Sequence, residues 1–579
     1  MKKFAFFCLL NCLLIQAHAQ YFFKGNIRTE KGIALKNAKI CLHSNKSISL
    51  SDNDGSFGIV SNLTCDTITV ALEGFDKQTL KVKSDIFQNI ILKLSTATIL
   101  KNKPKLISFT KDASRTNRFN PFISDETYFK LIENEFVDAN NFPNTGYSLN
   151  VNKASYSNVR RFINMKSAVP PDAVRVEEMV NYFNLGYQKP ESTNVFKIST
   201  NILNCPWNKK NNLLFIRLSA KKLDIDKLPA GNFTFLIDIS GSMDMPNRLP
   251  LLKESFQLFV KNLRAKDMVS IVTYGGTVGT WLEPTPGNEK EKICNRLELL
   301  EAAGETNGES GIEAAYKMAR KNFIYGGNNR VILATDGDFN VGQTSEKALD
   351  DLISKQRESG IFLTCLGVGM GNFKDSKLQT LAKRGNGNYA YLDNLQEAEK
   401  VLVHELTETL YSVAENAFIN IKFDPNAINN YRLIGFDNKR ESILDGSSEL
   451  DGGEIGSGCS TMAIFEYSPK SILNTSLGQL VLKYHDINNK SEILNELEYE
   501  INVAKTDSIE NDIKFATAVT MFGLKLKESV YLKKTTWADI KNFAISAVDK
   551  NIFLQNDFLN LLEKAILLYE PTKKKARGK

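Results

Sequence analysis

The sequence predicts a multidomain chain with a central α/β domain of doubly wound, Rossmann-like fold, flanked by β-sandwich and helical regions. Two observations support this prediction. A chain of 579 residues is too long for a single hydrophobic core. Between residues 229 and 410, short apolar runs alternate with helical patterns, which is typical of a parallel sheet covered by helices on both faces. We therefore expect several domains, with the α/β domain at the centre.

The first 19 residues have the pattern of a secretory signal peptide. Two lysines follow Met1, residues 4–15 are mostly apolar, and Ala17-His18-Ala19 is a typical cleavage site. A lipoprotein would need Cys12 as its anchored residue, but Asn11 stands before it where a small residue is usual. The pattern therefore favours cleavage and an exported protein, periplasmic or at the cell surface.

Residues 20–95 have the pattern of short strands joined by turns. Apolar residues occupy every second position in the runs 38–42 and 68–72, which predicts half-buried strands. This segment resembles the carboxypeptidase regulatory-like β-sandwich. Cys41 and Cys65 fall within it and are candidates for a disulfide. The polar residues 96–125 that follow are expected to form a linker.

Two regions flank the central domain, at 126–228 and 411–570, and a basic tail follows at 571–579. The first is expected to contain helices, at 154–162 and 170–183, and then strands, and the second strands and then helices. An isolated hairpin is marginally stable in water. We therefore expect strands at 195–218 to pair with strands at 417–503 in one β-sandwich, with the central domain inserted between them. Movement of the central domain's last helix, at 395–411, would then carry metal occupancy to the sandwich.

Within the central domain, each strand is predicted from a short apolar run and each helix from apolar residues spaced by three and four. The predicted strands are 233–238, 269–273, 330–334, 361–368 and 388–392, and the predicted helices include 249–263 and 312–323. Strand ends matter for function, because ligands of such sheets bind beyond the carboxyl ends of the strands.

The composition excludes several classes of function. The formal net charge is +7, and it resides in seven basic residues at the two ends, so the body is neutral and lacks the footprint of a nucleic-acid binder. No segment after the signal reaches about 18 consecutive apolar residues, so no membrane-spanning helix is expected. The cysteines form no C-x-x-C pair and the histidines are scattered, which argues against a zinc site or a histidine-based triad. Cys294 and Cys365 are expected to be buried free thiols.

The candidate functional site consists of oxygen-bearing side chains at the ends of two predicted strands. Asp238, Ser240 and Ser242 follow the first strand at alternating positions, and Asp336 ends a second strand. Thr306 lies in the Gly-rich segment between them. Carboxylates and hydroxyls grouped in this way suit Mg²⁺, or Mn²⁺ or Ca²⁺.

These residues resemble the metal-ion-dependent adhesion site of von Willebrand factor type A domains. Motifs on both sides of the central domain are similar to those of bacterial YfbK-type von Willebrand factor A proteins: Arg160-Arg161-Phe162, Cys205-Pro206-Trp207-Asn208 and Tyr431-Arg432-Leu433. The resemblance covers roughly residues 126–570. It implies that Ser240, Ser242 and Thr306 ligate the ion, that Asp238 and Asp336 act as ligands or hold its waters, and that the protein binds a partner and is not an enzyme. Where we expect acids near residues 148–153, this sequence has Asn150 and Asn152.

Other interpretations remain open at this stage. Asp and Ser after a strand are also common helix caps, and the plain alternatives for Thr306 and Asp336-Gly337 are an ordinary loop and an ordinary turn. Asp244 is expected to be solvated, whereas Asp338 and Asn340 are candidates for the rim of the site. The function favoured by the sequence is metal-dependent binding of a protein that presents an Asp or Glu carboxylate. The alternatives are a metal-dependent envelope hydrolase and a metal-independent structural scaffold.

Overall fold

The structure is a computed structural model, and it divides into two compact units, residues 1–105 and 106–579. It describes residues 21–29, 34–72, 75–93, 106–108, 126–191, 193–304, 308–337, 353–370, 373–437, 453–470, 476–487, 494–502 and 510–570. The predicted signal peptide, the basic tail and most of the predicted linker lie outside these ranges. Within the linker, residues 106–108 form a strand.

The first unit is a β-sandwich, as predicted. Its strands are β1 (Tyr21–Thr29), β2 (Lys39–Leu42), β3 (Ile48–Leu50), β4 (Ser56–Ser61), β5 (Cys65–Ala71), β6 (Gln78–Lys83) and β7 (Gln88–Leu92). One sheet has the order β4-β1-β7 and the other β3-β2-β5-β6. Alternating apolar residues of both sheets, among them Phe23, Ile27, Ile40 and Ile68, share one core.

The possible disulfide in this unit is ruled out by strand register. Cys41 lies opposite Thr69 in the β2–β5 pair, four residues along β5 from Cys65. Four residues of extended chain span about 13 Å, which is too far for a disulfide. Both thiols are free, and Cys65 is exposed.

The second unit begins with the region that precedes the central domain. Its elements are β8 (Leu106–Ser108), β9 (Thr127–Phe129), β10 (Val137–Asp138), β11 (Asn144–Ser148), α1 (Ala154–Asn164), α2 (Val176–Asn181), β12 (Phe196–Asn204) and β13 (Asn212–Ala220). The helix predicted at 170–183 is shorter in the structure. A 3-10 turn at Pro171–Ala173 precedes α2, and the chain between them is extended at Val174 and Arg175.

The central domain is the α/β fold that the sequence predicts. Its strands are β14 (Gly231–Asp238), β15 (Met268–Tyr274), β16 (Gly279–Pro286), β17 (Asn328–Thr335), β18 (Ile361–Gly367) and β19 (Tyr389–Tyr391). Its helices are α3 (Leu249–Lys261), α4 (Lys290–Glu298), α5 (Gly308–Lys321), α6 (Asp375–Arg384), α7 (Leu395–Glu399) and α8 (Leu406–Leu410).

The central sheet has the order β16-β15-β14-β17-β18-β19. Five strands are parallel, and β14 and β17 lie side by side at its middle, buried along their whole length. The edge strand β16 was not predicted; it runs antiparallel to β15, and only Leu282 and Thr285 of its eight residues are buried. The single last helix predicted at 395–411 is also wrong in detail. A π-helical turn at Lys400–His404 separates α7 from α8.

After the central domain come the remaining strands and three helices. They are β20 (Ser412–Phe423), β21 (Ile428–Ile434), β22 (Gly453–Gly456), β23 (Ser460–Pro469), β24 (Ser476–Asp486), β25 (Asn495–Asn502), α9 (Asn511–Leu526), α10 (Trp537–Ala547) and α11 (Phe553–Tyr569). Among the described residues, no helix is long and apolar enough to cross a membrane.

The predicted insertion of the central domain is confirmed by strand pairing. One flanking sheet has the order β10-β21-β23-β13-β12, so β13, from before the central domain, pairs with β23, from after it. The second sheet has the order β11-β20-β24-β25, with β22 also on β20, and the two sheets share one core. The chain leaves and re-enters this sandwich at adjacent points, because Ser457 N donates to Tyr411 O and Gly458 N donates to Lys221 O.

Helices cover the outer face of the first flanking sheet. Helices α1 and α2 pack with α9–α11 around an apolar core that includes Phe215 of β13 and Ile464 of β23. The sandwich therefore has a helical layer on one side. The central domain is inserted in the chain between β13 and β20 of this sandwich. This frame fixes both ends of the domain that carries the candidate site.

Candidate metal site

The candidate site lies at the carboxyl ends of the two middle strands of the central sheet. In the register of β14 and β17, Ile237 pairs with Ala334, so Asp238 and Thr335 end the two strands next to each other. Thr335 Oγ1 donates a hydrogen bond of 2.9 Å to Asp238 Oδ2. The predicted location at the strand ends is therefore where these side chains lie.

Asp238 is buried and held by three donors. Its Oδ1 accepts from Ser240 N at 2.9 Å, and its Oδ2 accepts from Tyr274 Oη at 3.1 Å as well as from Thr335. Burial raises the pKa of Asp238 to about 6, and the nearby charge of Asp336 adds to the rise. A carboxylate oriented in this way can stabilise a cation directly or through its waters.

The two serines follow Asp238 in a single 3-10 turn, Gly241–Met243. Ser240 is the N-cap residue of this turn, but its side chain makes no capping hydrogen bond. Its Oγ and Ser242 Oγ are hydrogen-bonded to each other at 3.1 Å. Neighbouring ligands of an octahedral Mg²⁺, each about 2.1 Å from the ion, are about 3 Å apart. The spacing of the two hydroxyls fits Mg²⁺. Because the Ser240 side chain makes no capping hydrogen bond, the helix-cap interpretation of Ser240 is wrong.

The buried and exposed parts of the site differ. Asp238 and Ser240 are buried, whereas Ser242 is exposed at the surface. An ion held here would therefore rest on a protein-covered floor and keep one side open to solvent or to a partner's side chain. Asp244, on the same turn, is exposed as predicted.

Two neighbouring loops pack closely around the serine turn. Gly275, which follows β15 with φ of 150°, lies where a Cβ would come within 2.7 Å of Ser240 N. Ala303 N donates to Ile239 O at 2.6 Å, and Gly241 N donates to Gly304 O at 2.9 Å. Thr306 itself, and the rim candidates Asp338 and Asn340, lie outside the described residues.

Asp336 is near the serine turn but has a protein partner of its own. Arg248 Nη1 lies 2.7 Å from Asp336 Oδ2 and also donates to Ser242 O at 2.5 Å. Arg248 Nη2 donates to Met370 O at 2.7 Å. Sequence reasoning missed Arg248, because nothing in a lone arginine before a helix indicates a carboxylate 88 residues away. Sequence reasoning also missed Tyr274, which donates to Asp238. The other side-chain donor to Asp238, Thr335, belongs to the Thr-Asp-Gly motif that the sequence shows.

The donor set tests which ions fit. Within the part of the chain that the structure describes, no group of three or more His, Cys, Asp or Glu side chains is placed to hold a metal. The site is instead built from two hydroxyls and a carboxylate, with Asp336 beside them. Hard oxygen donors of this kind suit Mg²⁺ or Mn²⁺ and not zinc.

Three family profiles match the chain. The von Willebrand factor type A domain profile matches residues 232–405, and a second von Willebrand factor profile matches residues 123–215. The profile of the C-terminal part of the uncharacterized protein YfbK matches residues 408–498 and 473–568.

Similar proteins extend this picture. The chain is 37% identical to the uncharacterized protein YfbK of Escherichia coli over 451 residues, which are 73% of this chain and 78% of that protein. It is 28% identical over 165 residues to human inter-alpha-trypsin inhibitor heavy chain H3, covering 27% of this chain and 18% of that one.

Solved structures similar to the chain include the following two. One is von Willebrand factor type A from Catenulispora acidiphila, with 13% identity, a TM-score of 0.39, and coverage of 65% of this chain and 91% of that one. Another is the ArnB paralog VWA2 from Sulfolobus acidocaldarius, with 13% identity, a TM-score of 0.33, and coverage of 65% and 98%. Given the profile matches and the extent of identity to the Escherichia coli protein, the chain belongs to the YfbK family, whose central domain is a von Willebrand factor type A domain.

Proposed function

We propose that this protein is an exported, metal-ion-dependent protein-binding module. In this proposal a divalent cation, Mg²⁺ or Mn²⁺, is held by Ser240 and Ser242 with Asp238 beneath it, and Thr306 and Asp336 contribute directly or through water. The observation that carries the proposal is the pair of hydroxyls 3.1 Å apart on the turn that follows a buried carboxylate held by three donors.

The partner is expected to supply an Asp or Glu carboxylate. Ser242 is exposed, so one side of the ion faces outward. Two carboxylates near a divalent ion leave it little excess negative charge, and Arg248 reduces that excess further. The ion would therefore attract one more anionic oxygen, and Mg²⁺ usually keeps exchangeable waters that such a ligand can replace.

A metal-dependent thermal shift tests the ion part of the proposal. Millimolar Mg²⁺ or Mn²⁺ should raise the melting temperature, because an ion that binds only the folded state stabilises it. The double variant Ser240→Ala with Ser242→Ala should lose this gain, whereas Asp244→Ala, an exposed acid on the same turn, should keep it. An equal response in all three proteins would contradict the assignment.

A pull-down tests the partner part. Immobilised protein should capture its partner from an envelope extract in Mg²⁺ and release it on chelation, and the double serine variant should capture nothing in either condition. If neither chelation nor the double serine variant changes the capture, the partner binds another surface. That result would favour the metal-independent scaffold.

A further inference from the structure

Arg248 places a permanent positive charge at the candidate metal site. The residue is 7% exposed, and its guanidinium spans three acceptors: the Asp336 carboxylate, Ser242 O and Met370 O. A guanidinium does not lose its proton in proteins. The charge is therefore present whether or not a divalent ion is bound.

The position of this charge puts it in conflict with a bound cation. Its Nη1 contacts the carbonyl oxygen of Ser242, whose hydroxyl is a candidate ligand, and the same nitrogen occupies Asp336 Oδ2. A cation held by Ser242 and Asp336 would lie close to a guanidinium bonded to both residues, and two positive charges that close repel each other. The ion and the guanidinium would also compete for the carboxylate of Asp336.

The other end of the guanidinium is tied to the Gly369–Met370 turn. Gly369 has φ of +78°, and a Cβ there would lie 2.6 Å from Arg248 Nε, so the turn is packed directly on the arginine. On its far side, Gly369 O accepts from Arg161 Nη1 at 3.4 Å and from Tyr391 Oη. Arg161 belongs to α1 of the flanking region and is itself paired with Glu126.

We propose that Arg248 is a tethered competitor of the divalent ion. It holds Asp336 in the absence of metal, lowers the affinity for the ion, and loosens from the Gly369–Met370 turn when the ion binds. This inference rests on the proposed function. The contrasting role, in which Arg248 simply orients Asp336 for the ion, gives the opposite expectation on removal of the charge.

The test compares Mn²⁺ dissociation constants of the full protein and two variants by titration calorimetry. Arg248→Gln keeps hydrogen-bonding groups but removes the charge, and it should bind Mn²⁺ at least about tenfold more tightly. Arg248→Lys keeps the charge and should stay within about threefold of the unmodified protein. Weaker or unchanged binding by Arg248→Gln would overturn the proposal.

A second measurement needs no substitution, so it holds even if a variant fails to fold. Hydrogen exchange at Gly369 and Met370 in the unmodified protein should accelerate when Mn²⁺ is added, because Arg248 releases the turn. Slower or equal exchange, with Mn²⁺ bound, would contradict release. If neither the unmodified protein nor Arg248→Gln binds Mn²⁺, the proposed function fails together with this inference. If both proteins bind Mn²⁺ equally well, only this inference fails.

Discussion

At the scale of single residues, the candidate site depends on how closely the loops approach one another. Gly275 shows this best, because its backbone lies against Ile239 and Ser240, and a Cβ would meet Ile239 C and Ser240 N at 2.7 Å. Both contacted atoms are backbone, so no flexible side chain can yield. The serine turn keeps its shape only if this position has no side chain.

Gly275→Ala is therefore expected to lower the unfolding free energy by about 3 kcal/mol or more and to abolish the Mn²⁺-dependent thermal shift. Gly326→Ala is the matched control, since Gly326 also has a positive φ, of +69°, but a Cβ there meets nothing within 4 Å. It should cost only about 1 to 2 kcal/mol and leave the metal response intact. Denaturant unfolding with and without Mn²⁺ measures both, and similar behaviour of the two variants would contradict this account.

The residue scale also shows what sequence can and cannot provide. Asp238 and Ser240 were predictable because an apolar strand ends at a known position and ligands of such sheets lie beyond strand ends. The partners of Asp238 and Asp336 were not: Tyr274 and Arg248 reach the site from other segments, 36 and 88 residues away. Such contacts depend on how distant segments come together in the fold, and hydrophobic periodicity carries no information about that.

At the scale of elements, buried charge joins the central domain to its frame. Lys153, just before α1, lies 2.9 Å from Glu405 and 3.1 Å from Glu408 at the broken last helix. Burial alone would raise the pKa of Glu405, but the charges of Lys153 and Lys400 outweigh it and lower the pKa to about 2. Arg160 similarly pairs with Asp393 and Glu397. These pairs make free movement of the last helix costly, because separating a buried pair leaves uncompensated charge.

Glu454 of β22 gives a prediction about pH. Its Oε2 accepts from Ser412 Oγ at 2.8 Å, and burial raises its pKa from 4.5 to about 7, although the charge of Arg330 opposes the rise. The folded state thus holds a proton that the unfolded state releases between these values. Stability contributed by this proton is present at low pH and falls as the pH rises from about 4.5 to about 7.

Glu454→Gln should remove this loss, since the amide cannot ionise and can still accept from Ser412. The variant's stability relative to the unmodified protein should increase across that range by up to about 3 kcal/mol. Unfolding free energies at pH 5 and pH 8 measure the change. A difference between the two proteins that is constant with pH would contradict the buried neutral acid.

At the scale of the whole molecule, the central domain is inserted into a β-sandwich. The strands of this sandwich come from the parts of the chain before and after the central domain. The expectation followed from the marginal stability of isolated hairpins, and the pairing of β13 with β23 confirms it. The antiparallel β16 was missed because its polar residues and two prolines hide the strand pattern.

Residues 412–570 expressed alone should therefore not fold cooperatively. Without β13, the strand β23 has an unpaired edge, and the core shared with Phe215 opens to water. Circular dichroism during heating should show no cooperative transition for this fragment, in contrast to residues 106–579. A sharp transition in the fragment would show that the strands after the central domain form a domain of their own.

The central claim is that a divalent ion sits on the hydroxyls of Ser240 and Ser242, and crystals grown with Mn²⁺ test it most directly. An anomalous difference map should show a peak within coordination distance of both hydroxyls, above the Asp238 carboxylate, and this peak should be absent from crystals of the double serine variant. Mn²⁺ density elsewhere on the protein, with solvent alone between the two serines, would contradict the claim.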